Sequence, residues 1–267
     1  MNRPYMFPRT RTTCPPPEGG CREAAGESIL QQPRILFEDN HLLIAIKPPG
    51  VPSQADSSGD ADMLSILKQY VKEKYNKPGD VYLGLVHRLD RPAGGVMVFA
   101  RTSKAASRLS EQIRGIGFEK EYLCVCMGSP PSGRLEHWLT KDERTNTVSA
   151  SLSETKGSQW AALEYEPLQT VDGLTLCRVK LITGRSHQIR AQFAAIGHPL
   201  WGDQRYNPKA VPGQWLALWS KSIELTHPTK RERMRFECLP DNEKGTIWQR
   251  FDIVSYGGPG AYASPEP

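Results

Sequence analysis

Asp90 is a carboxylate in a setting that suits chemistry. It lies in the segment His87-Arg88-Leu89-Asp90-Arg91-Pro92-Ala93-Gly94-Gly95, between apolar stretches that are typical of strands. The two arginines that flank it favour the ionised carboxylate, so Asp90 could act as a nucleophile or as a base. An aspartate in such a loop also commonly bonds the loop backbone, and the segment by itself leaves both interpretations open.

A second group of polar residues lies further along the chain. It comprises Thr183-Gly-Arg-Ser-His-Gln-Ile-Arg190, Gly197-His-Pro199 and Gly202-Asp-Gln-Arg-Tyr206. We expect a helix to begin here with Ser186 as its N-cap, so that backbone N–H groups, Arg185 and Arg190 could hold a phosphate. Taken singly, Arg190 could instead pair with a surface carboxylate, and His187 could cap the turn.

Tyr122 ends a short polar stretch, Phe118-Glu-Lys-Glu-Tyr122, that leads into an apolar strand. Its spacing from Cys124 and Cys126 places all three side chains on one face of that strand. Packing in the core is therefore the default interpretation of Tyr122.

Charge is distributed unevenly along the 267 residues, whose formal net charge is +5. Between Arg178 and Arg235, eleven basic residues accompany three acidic ones, so this segment carries +8 and the remainder of the chain −3. A basic segment in a mildly acidic frame is typical of proteins that bind polyanions, most often nucleic acid. A solvated charged surface is the alternative interpretation.

The elements that must position these residues are mostly strands. Apolar runs predict strands over 35–37, 42–46, 82–86, 96–100, 122–127, 161–165, 174–182, 216–219, 223–225 and 234–238. Helical spacing predicts helices over 63–75, from 103 to about 115, and from 186 to 197. Strands that follow one another directly favour an α+β fold, with a mixed, largely antiparallel sheet flanked by helices and loops.

Composition sets the domain boundaries and excludes several classes of protein. Prolines and glycines predict a flexible tail over 1–33, one domain over 34–255 and a frayed end over 256–267. The sequence contains neither an apolar stretch of the roughly 18–20 residues that span a membrane nor the apolar core of a secretory signal. Six cysteines without a Cys-x-x-Cys pair argue against structural zinc and for reduced thiols inside the cell. We therefore expect a cytoplasmic protein without membrane or metal partners, and a monomer by default.

Taken together, these motifs resemble the RluA family of RNA pseudouridine synthases. The resemblance covers roughly residues 34–240 and rests on the order of five elements: Lys47-Pro-Pro-Gly-Val-Pro52, His87-Arg-Leu-Asp90 with Gly94, Lys120-Glu-Tyr122, the Thr183–Arg190 signature with its downstream segments, and Leu216-Ala-Leu218 with Thr226-His-Pro228.

The resemblance implies that uridines in ribosomal RNA, transfer RNA or both are converted to pseudouridine without a cofactor or metal. By resemblance, Asp90 is the catalytic carboxylate that attacks C1′ or the base, Arg185 pairs with it, and Tyr122 stacks on the target base. The base must be flipped out of its helix or loop, and Arg88 resembles the arginine that fills the gap. The remaining residues expected to bind RNA are His87, Lys120, His187, Arg190 and Arg205.

The chain departs from the family pattern at two places. Pro92-Ala93-Gly94 replaces Thr-Ser-Gly, and Trp219 replaces a histidine. The Trp219 side chain could either pack in the core or stack on RNA. With 33 residues before the core, we expect no S4-like RNA-binding domain. Two alternatives stay open: an RNA-binding protein without activity on the same scaffold, and an N-glycosidase that uses Asp90 and releases free uracil.

Overall fold

The computed structural model describes residues 33–115, 117–241 and 245–257. The predicted tail before Pro33 and the predicted frayed end from residue 258 onward lie outside the described residues. Strands dominate the part that is described. They are β1 (Ile35–Glu38), β2 (Leu42–Lys47), β3 (Gly84–Leu85), β4 (Gly94–Ala100), β5 (Phe118–Met127), β6 (Gly133–Asp142), β7 (Thr147–Ser151), β8 (Gln159–Val171), β9 (Leu174–Leu181), β10 (Leu218–Thr226) and β11 (Arg233–Glu237).

These strands form one sheet in the order β1-β2-β4-β10-β5-β9-β8-β6-β7, with β3 also paired to β4 and β11 to β10. Within the described residues, the pairing of β4 with β10 is parallel and every other pairing is antiparallel. The predicted α+β fold with a mixed, largely antiparallel sheet is therefore confirmed.

The sheet topology gathers the functional segments at one place. The parallel pair aligns Gly94, at the start of β4, with Trp219 near the start of β10. The neighbouring antiparallel pair aligns Ser220 of β10 with Tyr122 of β5, and Tyr122 lies opposite Val179 of β9. As a result, the loop before β4, the first half of β5 and the loop after β9 meet beside one another.

Apolar side chains cover both faces of the sheet. In β5, Tyr122, Cys124 and Cys126 belong to one buried cluster, whereas Leu123 and Val125 belong to the cluster on the opposite face. This alternation is the period-two pattern of a strand that is buried on both sides. The predicted common face of Tyr122, Cys124 and Cys126 is confirmed, and the two cysteines are free thiols.

Three α-helices of the described residues pack around the sheet: α1 (Met63–Lys74), α2 (Ser103–Arg114) and α3 (Gln188–Ala195). The N-cap of α2 is Thr102, whose side chain accepts a hydrogen bond from the N–H of Ala105. The predicted N-cap of α3, Ser186, is wrong by one residue, because His187 takes that position with a left-handed φ of 50°. No helix among the described residues has the length and apolar character needed to cross a membrane.

Candidate active site

A cleft of about 930 Å³ opens where the loop before β4, the start of β5 and the loop after β9 converge. Most of the residues that the sequence analysis selected line it. They are His87, Arg88, Asp90, Lys120, Tyr122, Arg185, His187 and Arg190. Arg205 is the exception, because its guanidinium donates hydrogen bonds to the carbonyl oxygens of Thr145 and Asn146 and does not line the cleft.

Asp90 is held by bonds to the residues immediately before and after it. Ser53 Oγ accepts a hydrogen bond from the N–H of Leu89 at 3.1 Å and donates one to its carbonyl oxygen at 2.8 Å. On the other side, Lys47 Nζ and the N–H of Gly50 donate to the carbonyl oxygen of Arg91 at 3.0 and 2.8 Å. The backbone around Asp90 is thereby fixed from the segment that follows β2.

The turn after Asp90 carries one of the two departures from the family pattern. The N–H of Ala93 donates to the carbonyl oxygen of Asp90 at 3.0 Å, which closes a tight turn through Pro92. A backbone bond thus closes this turn although Pro92 and Ala93 have no hydroxyl.

Arg190, and not Arg185, is the cation paired with Asp90. Its Nη1 donates to Asp90 Oδ2 at 3.0 Å, while Nε and Nη2 donate to the two oxygens of Asp203 at 2.8 Å. Burial opposes the charge on Arg190, but the two carboxylates outweigh it and raise its pKa above the ordinary value. The expected pairing of Arg185 with Asp90 is corrected accordingly, since Arg185 Nε donates to the carbonyl oxygen of Trp160.

The same geometry corrects the role expected of Arg190. Its side chain is 5% exposed and all three of its nitrogens donate to carboxylates, so its charge is directed at Asp90 and Asp203 and not at an RNA phosphate. Arg190 is available to orient Asp90, which is part of the role that resemblance gave to Arg185.

His187 lies beside the same carboxylate. Its Nε2 is 4.0 Å from Asp90 Oδ2, and its Nδ1 is 2.8 Å from the hydroxyl of Tyr206. The Tyr206 hydroxyl accepts from the N–H of Val148 and can donate its own proton to Nδ1, which leaves the imidazole proton on Nε2, towards Asp90. Burial lowers the pKa of His187, with the Asp90 carboxylate opposing, so the neutral ring is favoured.

Tyr122 is buried in the core cluster and lines the cleft with one edge. Burial raises the pKa of its phenol, the negative charge of Asp90 adds to this, and hydrogen bonding with Ser220 opposes it. The phenol therefore stays protonated near neutral pH, and the environment does not create the lowered pKa that a phenolate base would need.

Several cationic groups in the cleft have no partner among the described residues. The exposed Arg88 makes no hydrogen bond or ion pair there, and neither does the ammonium of Lys120, which lies 5.9 Å from the centre of the Phe118 ring. Burial lowers the pKa of Lys120. Arg185 uses only Nε, so its two terminal nitrogens are free. These three side chains remain available to bind phosphate.

His87 takes a different role from theirs. Its Nε2 accepts a hydrogen bond from the N–H of Val98, and its ring lies against Phe118. Burial, with the charge of Lys120 nearby, lowers the pKa of His87 to about 3. The neutral ring therefore cannot contribute charge to RNA binding. Its hydrogen bond with the N–H of Val98 fixes the loop to β4.

Trp219 packs in the core and does not face the cleft. It is buried, and its Nε1 donates to the carbonyl oxygen of Cys238 at 2.7 Å. Its ring lies against Gly94 so closely that a Cβ there would come within 2.4 Å of it. This resolves the open question about Trp219 in favour of packing.

Sequence reasoning missed four residues that shape this site: Asp203, Tyr206, Lys47 and Ser53. The first three lie in motifs that were noted, yet nothing in the sequence showed that Asp203 would meet Arg190. Ser53 carried no signal, because a lone serine after a Pro-rich turn has no distinctive spacing. Among the described residues, no cluster of three or more His, Cys, Asp or Glu side chains could hold a metal ion.

Comparison with known proteins agrees with this geometry. Residues 41–195 match the family model described as RNA pseudouridylate synthase. An uncharacterised RNA pseudouridine synthase of Aquifex aeolicus is 33% identical over 76% of this chain and 68% of its own length. Ribosomal large subunit pseudouridine synthase D of Pseudomonas aeruginosa is 32% identical over 83% of this chain and 73% of its own length.

Solved structures show the same fold. The human RNA pseudouridylate synthase domain containing 4 protein superposes with a TM-score of 0.65 at 22% identity, over 81% of this chain and 92% of that one. The family match, the relatives above 30% identity and the cleft built around Asp90 lead to one conclusion: this chain belongs to the family of RNA pseudouridine synthases.

Proposed function

We propose that this protein converts uridines of ribosomal RNA to pseudouridine, with Asp90 as the catalytic carboxylate and residues 34–255 as the catalytic domain. The observation that carries the proposal is the position of Asp90. Its side chain is 24% exposed in the cleft, while its partner Arg190 is buried behind it. One oxygen atom is thus oriented by a cation, and the carboxylate still faces the space that a nucleobase would enter.

The reaction requires one bond to break and another to form at the same sugar carbon. The N1–C1′ bond of uridine breaks, the uracil turns within the cleft, and C5 bonds to C1′. The proton lost from C5 is matched by one gained at N1, so the product is an isomer of the substrate. An ionised Asp90 can attack C1′ or the base to start this sequence, and the bond that it forms breaks again before the product leaves. Arg190 holds the carboxylate in place through its hydrogen bond, and the protonated Tyr122 forms a wall that retains the detached uracil.

The cations without partners support RNA as the substrate. Arg88, Lys120 and Arg185 surround the same cleft, and each offers donors that no described residue uses. Arg88 adjoins the catalytic loop and is exposed, so its planar group can fill the space that a flipped uridine leaves. Ribosomal RNA is favoured over transfer RNA because similar proteins of Pseudomonas aeruginosa and Salmonella typhimurium bear the name ribosomal large subunit pseudouridine synthase. The monomeric state and the cytoplasmic location expected from the sequence are part of the same proposal.

The test compares the wild type with Asp90→Asn on ribosomal and transfer RNA from cells that lack this protein. Pseudouridines are mapped after incubation, and RNA binding is measured in parallel. We expect the wild type to modify ribosomal RNA, and Asp90→Asn to lose at least a thousandfold in rate while it keeps its RNA affinity. Asp172→Asn is the matched control, because Asp172 lies in the exposed β8–β9 turn and its φ of 49° suits asparagine.

Each other outcome contradicts part of the proposal. Modification of transfer RNA alone would overturn the substrate, and turnover by Asp90→Asn would overturn the role of the carboxylate. Free uracil as the product would make the protein an N-glycosidase. RNA binding without any change of the RNA would leave a binding protein on this scaffold.

A further inference from the structure

A second groove lies beside the catalytic cleft and has no part in the chemistry described above. We call it the α2 groove. It encloses about 390 Å³ between α2 and the turn that joins β10 to β11. The residues that line it are Arg108, Glu111, Gln112, Gly115, Gly117, Thr226, His227, Pro228 and Arg231.

The Thr226-His-Pro228 motif builds one wall of this groove. The His227 side chain is buried, and its Nδ1 accepts hydrogen bonds from the N–H groups of Thr229 and Lys230 at 3.2 and 2.9 Å. Since Nδ1 accepts, the proton is on Nε2, which donates to Asp39 Oδ2 at 2.8 Å. His227 therefore fixes the shape of the turn and anchors it to the chain before β2.

This turn presents two cations at its tip. Lys230 and Arg231 are exposed, and within the described ranges neither side chain has a hydrogen bond or an ion pair. Arg231 has a φ of 63°, a left-handed conformation that residues other than glycine rarely adopt. The His227 bonds impose this conformation, and it places the side chain of Arg231 along the α2 groove.

The basic residues of β11 are paired with carboxylates, and Arg108 of α2 donates to the carbonyl oxygen of Pro228, whereas Lys230 and Arg231 have no such partner among the described residues. Arg233 Nε donates to Glu224 and its Nη2 to Glu119, while Arg235 donates to Glu237. Much of the +8 segment therefore forms ion pairs with carboxylates of β5, β10 and β11. Within the described chain, Lys230 and Arg231 thus bring two cations without ion-pair partners to the turn, where the exposed Glu111 and Glu232 are the nearby carboxylates.

The α2 groove adjoins the catalytic cleft. Gly115, at the end of α2, lines both of them. Its neighbour Arg114 lines the cleft, is exposed and has no partner among the described residues. Arg114 at the edge of the cleft and Arg231 in the groove therefore place positive charge on both sides of Gly115.

We propose that the α2 groove binds the RNA backbone on one side of the target uridine, with Lys230 and Arg231 as its phosphate contacts. The inference rests on the proposed function and adds to it a surface that extends recognition beyond the nucleotide in the cleft. Two flexible cations at a rigid turn suit a run of phosphates, which carry charge but little sequence information.

The test uses the double variant Lys230→Gln/Arg231→Asn, in which asparagine tolerates the positive φ. Binding to ribosomal RNA from cells that lack this protein is measured over a series of salt concentrations. We expect the dissociation constant to rise about five- to tenfold, and the salt dependence to fall by about 1.4–1.8 in the logarithmic slope, as the loss of two phosphate contacts predicts.

Two comparisons decide the outcome. The control Lys68→Gln/Lys72→Gln removes two exposed charges from α1, which lines neither groove, and should leave the slope at the wild-type value. An RNA hairpin that is only long enough to fill the cleft should bind the Lys230/Arg231 variant and the wild type equally.

The inference is overturned if the double variant binds long RNA as the wild type does, or if the α1 control changes binding by the same amount. A groove that serves a protein partner would give the first of these results. Binding decides the question even if the wild type forms no pseudouridine, so a failure of the proposed function is seen separately.

Discussion

Asp203 and Arg190 form a buried ion pair in which both carboxylate oxygens accept hydrogen bonds from one edge of the guanidinium. The side chain of Asp203 is 0% exposed, so nothing from solvent competes for this edge. Only Nη1 remains, and it donates to Asp90. Because one positive charge is shared by two carboxylates, Arg190 orients Asp90 without neutralising it completely. Asp203 is therefore a positioning residue for the catalytic carboxylate.

Asp203→Asn should weaken the pairing of residue 203 with Arg190. The amide cannot accept two bonds from Arg190, so Arg190 is freed to pair more closely with Asp90. We expect kcat to fall at least tenfold with little change in KM, and stability to fall by about 3 kcal/mol, as for other buried pairs that lose one partner. Denaturant unfolding and steady-state kinetics measure the two effects. An Asp203→Asn enzyme that is less stable but has unchanged kcat at low temperature would show that Asp203 has only a structural role.

Ser53 should matter for catalysis although it does not touch the cleft. Ser53→Ala removes both hydrogen bonds to the backbone of Leu89 and leaves a buried N–H without its partner, at a cost of about 1–3 kcal/mol. Because Leu89 precedes Asp90, we expect kcat to fall while KM is preserved. Ser58→Ala is the control, since Ser58 is exposed in the same loop and bonds Asp56. Equal kcat values for the two variants would refute this role.

Most of the sheet could be predicted from the sequence because its strands are apolar. Ile44, Val98 and Val125 lie in runs that are buried on both faces, and such runs are distinctive. The hairpin of β6 and β7 was missed for the opposite reason. Its residues include His137, Lys141 and Ser149, and half of them face solvent, so no apolar run marks the two strands.

The location of the site could be predicted from the sequence, but the contacts among its side chains could not. Motif order brought Asp90, Tyr122 and the Thr183–Arg190 signature together. The choice between Arg185 and Arg190 depended on where α3 begins, and that depends on His187 adopting a left-handed φ. Gln188 explains the shift, because its side-chain oxygen accepts from the N–H of Arg185 and the hydroxyl of Thr183, which closes the loop before the helix. Such a side-chain bond has no signature in hydrophobic periodicity.

Tyr122→Phe tests whether the phenol takes part in proton transfer as a base. Burial and the nearby Asp90 carboxylate raise the pKa of Tyr122, so it should not ionise below its ordinary value of about 10. We therefore expect the profile of kcat against pH to have the same shape in the wild type and in Tyr122→Phe up to about pH 9, whatever the change in absolute rate. A limb of the wild-type profile that disappears in the variant would contradict this expectation.

Lys47 should make stability depend on pH. Its side chain is 0% exposed, and its ammonium donates to the carbonyl oxygens of Pro48, Val51 and Arg91. Burial lowers the pKa of Lys47 to about 7, with the charge of Asp90 opposing. In the unfolded chain the pKa of the lysine amine is about 10.4. Between about pH 7 and this value the unfolded state therefore binds more protons than the folded state. The stability that this group contributes rises with pH over that range.

The measurement compares the unfolding free energy of the wild type with that of Lys47→Met between about pH 7 and pH 9, below the range where tyrosines ionise. We expect the unfolding free energy of the wild type to increase relative to that of Lys47→Met by up to about 2 kcal/mol as the pH rises. Lys72→Met, a change of an exposed lysine on α1, controls for the loss of a cation elsewhere. If the difference stays constant over this range, the three carbonyl oxygens hold Lys47 protonated throughout. The protonated Lys47 ammonium then holds the backbone carbonyl of Arg91, next to Asp90, over this whole pH range.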